Sequence, residues 1–307
     1  MEISIIFFQL IQLFLILFIG FFLYKYGLFT KDTNQRLTKL LLKVTLPATI
    51  LNSVLSQSQR PSGSLVVITF AIAVLMYLLL PVVSFLLVKA LRLPKADQGM
   101  YIFMSTYGNV GFMGFPIIEA VFGTDAVFYA AIFNVLFNLS CFSIGILIMH
   151  YGCETKASID WCACVTPSTV SSFAAILIYA ANLQIPSVLC ETVRTVSAVT
   201  TPLSMMLIGS TLATMPFREI FRDLRIYPFA VIRQFVLPLL LWPLLSRTIP
   251  DTRLLGVTFV LFAMPVANTS VLFATEYHGN ERLAAKTVFI TTAMTIVTVP
   301  LLLFLCR

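Results

Sequence analysis

The residues most able to do chemistry lie in one apolar segment, Ser105–Ala120 (STYGNVGFMGFPIIEA). Asn109 supplies an amide, while Gly111, Gly114 and Pro116 interrupt the helical pattern. Proline removes a backbone donor and clashes with the preceding turn, and glycine lowers the cost of leaving helical geometry. Because every backbone group freed in hydrocarbon needs a partner, we expect a broken helix that is buried among other helices and lines a cavity. The alternative is a kinked, tightly packed helix with no ligand.

A second interruption, AMPVANTS, contains Pro265, Asn268 and Thr269. Each break would present the N-terminus of a half-helix, whose partial positive charge and N–H groups suit a carboxylate. Asn109 and Asn268 would add amide donors. Asn109 could equally cap the broken backbone, so a structural role stays open beside the binding role.

Other polar residues inside apolar runs are candidates for the same site. Asn134 and Asn138 are four residues apart and share one helix face, where they line the cavity or bond helix to helix. Charges inside a membrane are costly and therefore informative. Glu119 is a candidate proton carrier or a residue at a wet outer mouth, and Arg233 either ties helices together or acts in transport. Lys43 is a further charge candidate, interpreted as a side chain that reaches the cytoplasmic surface.

The composition of the chain is that of an all-α membrane protein. Of 307 residues, 59% are hydrophobic and 11% are charged, whereas a soluble domain has about 25% charged residues. A span needs about 20 mostly apolar residues. Ten spans are predicted, at residues 5–24, 37–55, 65–88, 99–122, 126–149, 167–181, 188–212, 227–245, 254–274 and 284–306. The first has neither a preceding basic region nor a small-residue cleavage site, so we expect an uncleaved helix.

The interruptions recur at matching positions in the two halves of the chain. Pro47 and Pro202 lie in the second span of each half, and Pro116 and Pro265 in the fourth. Coincidence among 15 prolines is the alternative. Because five spans is an odd number, the halves would insert in opposite orientations, and paired interruptions of this kind point to a transport site. The predicted division is a first repeat at 1–150, a cytoplasmic loop at 151–166 and a second repeat at 167–307.

The basic residues predict the orientation of the chain. Thirteen lie on the side of the predicted central loop and four on the other. Lys and Arg accumulate on the cytoplasmic side, so both termini are expected to be extracytoplasmic in a multi-pass protein of the cell membrane. The net charge of +7 comes from short loops between apolar runs, which argues against nucleic acid as a partner.

No signature of an enzyme or of a bound cofactor occurs in the sequence. His150, Cys153, Cys162 and Cys164 gather near the central loop, but their spacing matches no standard zinc site. No phosphate-binding loop, HExxH or GxSxG motif is present. We therefore expect no metal, no cofactor and no catalytic residues, and the role of this cluster stays open.

Several motifs resemble the auxin efflux carrier family, which includes bacterial permeases and the plant PIN proteins. They are NVGFMGFPI at Asn109–Ile117, FATEY at Phe273–Tyr277, RQFVLP at Arg233–Pro238 and the Val299–Pro300 pair. The resemblance implies ten helices in two inverted five-helix repeats, with helices four and nine broken and crossing near the bilayer centre. It also implies transport of organic anions and places Asn109 near the substrate. The motif of helix nine departs from the plant form, as does the short central loop.

The sequence as a whole indicates a secondary transporter that moves a small organic anion by alternating access, and a carboxylate is the expected substrate. An anion channel or a uniporter without ion coupling is the alternative. The expected partners are the substrate, membrane lipid and a proton if transport is coupled. The sequence leaves a homodimer open.

Overall fold

The computed structural model describes residues 3–55, 62–149, 151, 165–214, 224–277 and 279–305. Within these ranges the chain is helical, with helices at all ten predicted positions, so the all-α prediction is confirmed. The helices are α1 (Ile3–Lys25), α2 (Lys31–Leu55), α3 (Gly63–Ala90), α4 (Gln98–Thr106), α5 (Val110–Phe122), α6 (Thr124–Met149), α7 (Pro167–Ala180), α8 (Ser187–Ala213), α9 (Ile226–Thr248), α10 (Thr252–Ala263), α11 (Thr269–Glu276) and α12 (Glu281–Leu305).

Six of the helices are long and apolar enough to cross a bilayer: α2, α3, α6, α8, α9 and α12. Shorter apolar stretches are Ile11–Lys25, Val110–Phe122, Pro167–Ala180 and Thr252–Ala263. The protein is therefore a multi-pass membrane protein. Ten spans in two inverted repeats stay a prediction, as does the division at the central loop, most of which lies outside the described residues.

The predicted spans four and nine are each divided into two helices. In span four the break follows Thr106 and ends at Asn109, and α5 starts at Val110. The break lies within the predicted segment and includes Gly108, whereas Gly111, Gly114 and Pro116 all lie within α5. Helical geometry survives there because a wide π-helical turn, Val110–Gly114, precedes the proline and relieves its clash with the turn before it.

A π-helical turn also precedes other prolines. Wide turns at Leu41–Thr45 and Ile232–Val236 end two residues before Pro47 and Pro238. In α8 a short turn precedes Pro202. Prolines in these helices therefore produce local widening rather than a chain break.

The helices form two groups that pack against each other. In the first group α1 packs along α8, and α2 packs along α7 and α8. In the second group α3 contacts α4 and α6, while α9, α10 and α11 contact α12. The groups meet where α1 contacts α5, and where α6 contacts α2 and α7. Both breaks belong to the second group, close to this interface.

Close contact between α1 and α8 depends on glycine. A Cβ atom at Gly209 would fall on the backbone carbonyl of Leu17, and one at Gly20 on the carbonyl of Met206. Small residues allow such backbone contact between membrane helices. We therefore expect Gly209→Ala to force the helices apart and to lower the free energy of unfolding by about 2 kcal/mol or more.

The measurement is the melting temperature of purified protein in detergent. Gly63→Ala is the matched control, since a Cβ atom at Gly63 meets nothing within 4 Å. Equal melting temperatures for the two variants would contradict the close packing of α1 against α8.

Candidate functional site

The two breaks lie side by side and satisfy each other's backbone. The N–H of Asn109 donates to the carbonyl of Pro265 at 2.8 Å, and the N–H of Ala267 donates to the carbonyl of Tyr107 at 3.1 Å. Gly108 and Val266, which lie between these hydrogen-bonded residues, form an isolated antiparallel β-bridge. Extended backbone inside a membrane is tolerated only when its polar groups are paired in this way. The four helix ends at the breaks are thus held at one place.

Two side chains form hydrogen bonds to the backbone of the second break. The hydroxyl of Thr291 on α12 accepts from the N–H of Val266 at 3.1 Å. Arg233 on α9 is only 4% exposed and donates from Nη1 to the carbonyl of Met264. Its Nη2 lies 2.9 Å from the position a Cβ atom would take on Gly108. Arg233 therefore occupies the C-terminal ends of α4 and α10, where helix dipoles place partial negative charge.

A cavity of about 320 Å³ lies on the other side of the breaks, at the interface of the two helix groups. Its walls come from α2, α5, α6, α11 and the start of α7. Six of the nine predicted substrate-binding residues line it: Asn109, Gly111, Asn134, Asn138, Asn268 and Thr269. The other three, Gly114, Pro116 and Pro265, do not line it, and the carbonyl of Pro265 is used in the pairing of the breaks.

Polar groups without a partner border this cavity. Among the described residues, Asn134 Nδ2 and Thr269 Oγ1 are buried and have no hydrogen-bond partner. Asn138 donates a hydrogen bond from Nδ2 to the backbone carbonyl of Asn134 at 2.8 Å. Asn109 accepts from the N–H of Phe112 at 3.1 Å through Oδ1, which is the expected capping contact. Its amide nitrogen makes no hydrogen bond to the described part of the chain.

The charges around the cavity are of one sign. Lys43 lines it and is exposed, midway along α2. No Asp or Glu occurs among the described residues that line it. The half-helices α5 and α11 begin at its wall, at Asn109 and Asn268. The electrostatic setting therefore favours an anion.

A second cavity, of about 580 Å³, lies at the opposite end of the same interface. Helix α2 lines the first cavity as far as Leu46 and the second at Asn52, so the two are about 9 Å apart along it. Glu119 lines this second cavity together with Arg194 and Arg253. Its predicted roles, a proton carrier or a residue at a wet outer mouth, stay predictions.

The ion pairs near the second cavity are peripheral. Arg194 pairs with Glu191 at 2.7 Å, as their three-residue spacing predicts, and both side chains are exposed. Arg253 lies 4.0 Å from Asp125. Exposed pairs of this kind contribute little to stability. The side chains of Arg194 and Arg253 are each more than half exposed and so accessible to solutes.

Several residues of the site were not predicted. The aromatic side chains of Phe112, Phe137 and Phe142 line the first cavity. Thr291 was missed as well, although Thr287, Thr291 and Thr295 recur at four-residue spacing in an apolar helix. That polar stripe was a usable signal for contacts within the core.

No group of three or more possible metal ligands occurs among the described residues. The cluster of His150, Cys153, Cys162 and Cys164 lies outside them, and its role stays open.

Comparison with known proteins gives two matches. A family model described as "Membrane transport protein" matches residues 5–303. An uncharacterized transporter of Methanocaldococcus jannaschii is 23% identical over 305 residues, covering 95% of this chain and 96% of that protein.

Proposed function

Because the chain belongs to the membrane transport protein family, which is the auxin efflux carrier family, we propose that it is a secondary carrier for a small organic anion. Membership of this family makes the protein a transporter and not an enzyme. The substrate, the coupling and the orientation are the proposed parts.

The observation that carries the anion proposal is the division of charge at the paired breaks. The half-helices α5 and α11 direct their positive ends to the first cavity. The negative ends of α4 and α10 lie behind the breaks, where the Arg233 guanidinium offsets them. A carboxylate in the cavity would meet the positive ends and the amides of Asn109, Asn134 and Asn268.

The two cavities support a carrier over a channel. They lie at opposite ends of the interface between the helix groups, and the paired breaks border only the first. Movement of one group against the other would expose the same site to each side in turn. A channel would need one continuous polar path.

We assign the end with Lys43 to the cytoplasm. Helix ends and loops at that end carry Lys25, Lys31, Lys89 and Lys95, and such residues favour the cytoplasmic side. Both termini would then be extracytoplasmic in the cell membrane, with the repeats at 1–150 and 167–307 inserted in opposite senses.

The test is flux of radiolabelled mono- and dicarboxylates in proteoliposomes with imposed potential and pH gradients. Moving one charge through 100 mV is worth about 2.3 kcal/mol, so uncoupled anion movement should run out of a negative interior. Uptake would need a cotransported proton, for which Glu119 is the candidate. We expect substrate on the far side to accelerate exchange, as in a carrier.

Transport of cations or neutral solutes with no competition by any carboxylate would overturn the anion proposal. Flux that saturates poorly and shows no accelerated exchange would favour the channel.

A further inference from the structure

Glu119 joins the two helix groups at the end away from the first cavity. Its Oε2 accepts from the hydroxyl of Thr201 at 3.0 Å, and its Oε1 accepts from the hydroxyl of Thr124 at 3.4 Å. Glu119 and Thr124 belong to the second group, whereas Thr201 lies on α8 in the first. The contact with Thr201 therefore has to break if the groups separate at this end.

Apolar packing continues this contact toward the middle of the molecule. Phe112, one wall of the first cavity, packs against the cluster of Leu41, Leu203 and Leu207. Thr201 and Leu203 are two residues apart on α8. The polar contact at Thr201 and the apolar packing of Phe112 thus hold α5 against α8 at two points.

We propose that Glu119 and Thr201 form a gate that keeps the first cavity closed toward the second. The gate rests on the proposed alternating-access function, for which it names the residues that close one side. An ionised carboxylate makes a stronger hydrogen bond to a hydroxyl than a neutral acceptor does, so the charge of Glu119 holds the gate shut. Thr201 is a positioning residue for that carboxylate.

The surroundings of Glu119 explain how the gate can open. Glu119 is partly exposed and lines the second cavity, as do Arg194, Arg253 and Asp125. When the groups part, the carboxylate loses the Thr201 hydroxyl and gains contact with solvent near two arginines. The open state is then accessible without burying an unpaired charge.

The gate can be tested by sided labelling of a cysteine in the first cavity. Gly111→Cys is a suitable reporter, because a Cβ atom there meets only Leu46 Cδ2 at 3.6 Å. The background replaces all six native cysteines by serine. A membrane-impermeant maleimide is applied from the side of Glu119. We expect Thr201→Val, which loses one hydrogen bond to a charged group, to raise the labelling rate roughly tenfold. Glu119→Gln keeps an acceptor but loses the charge and should raise the rate by less.

Thr211→Val is the matched control, since this α8 hydroxyl bonds to the carbonyl of Leu207 in its own helix. Thr201→Ser keeps the hydroxyl and should label like the unaltered gate. Melting temperatures show that each variant is folded, and two gate variants guard against failure of one. Equal labelling of Thr201→Val and Thr211→Val would overturn the gate. The reporter needs no substrate, so a shift in labelling without carboxylate flux would refute the proposed function and leave the gate standing.

Discussion

Replacing Arg233 by methionine is expected to abolish carboxylate transport and to destabilise the protein by about 3 kcal/mol. The stability loss follows from the removal of a hydrogen bond from a charged group and of a cation at two helix C-termini. The transport loss follows because the negative ends of α4 and α10 would no longer be offset close to the anion site. Uptake in proteoliposomes and the melting temperature in detergent measure the two effects.

Gln234→Met is the matched control for Arg233. Gln234 follows it on α9, is equally buried, and donates to the hydroxyl of Thr295 at 2.6 Å, away from the breaks. We expect this variant to lose some stability and to keep its affinity for substrate. Arg233→Lys keeps the charge but not the planar fork, so it should recover part of the transport. Normal affinity in Arg233→Met would show that the arginine serves the fold alone.

Asn109→Ala is expected to weaken substrate affinity at least tenfold, which is about 1.4 kcal/mol of binding energy. The loss of its cap should cost the fold only about 1 kcal/mol. Transport is then impaired more than folding, because the amide that faces the cavity is removed together with the cap. Affinity is measured by substrate competition, with the melting temperature alongside.

Asn109→Asp separates the two roles of this residue. Aspartate keeps an acceptor for the N–H of Phe112 and so preserves the cap, but it places a negative charge in the cavity. We expect a stable protein that does not bind carboxylates. Unchanged affinity in Asn109→Asp, or loss of stability with unchanged affinity in Asn109→Ala, would make Asn109 a structural residue.

Periodicity and composition were enough to predict where the helices lie, since apolar runs of this length have few alternatives in a membrane. They also placed breaks in the right spans, because the glycines and Pro116 signalled irregular backbone. The first break lies within the predicted segment, although the later glycines and Pro116 are helical. Helix propensity does not show that a π-helical turn at Val110–Gly114 would accommodate Pro116. Nor does it show that the carbonyl of Tyr107 would accept a hydrogen bond from another span.

The contacts between distant residues could not be predicted from the sequence. Arg233 was interpreted as a tie between helices or as a residue acting in transport, but nothing local indicated that its partner would be the carbonyl of Met264. The same is true of Glu119, whose contact with Thr201 depends on how α5 lies against α8. Such pairs are decided by tertiary packing, which a single sequence does not encode in a readable pattern.

The pairing of the two breaks constrains the order in which the protein can be made. Tyr107 and Asn109 emerge with the first half of the chain, whereas Pro265 and Ala267 emerge near its end. Until then the first break has a free N–H and a free carbonyl in the bilayer, each costing several kcal/mol. During synthesis the first half therefore lacks the hydrogen-bond partners of its break until the segment with Pro265 and Ala267 is inserted. Until then it is either shielded from lipid or recognised by quality control. Truncation between the breaks should yield a protein that is inserted but short-lived.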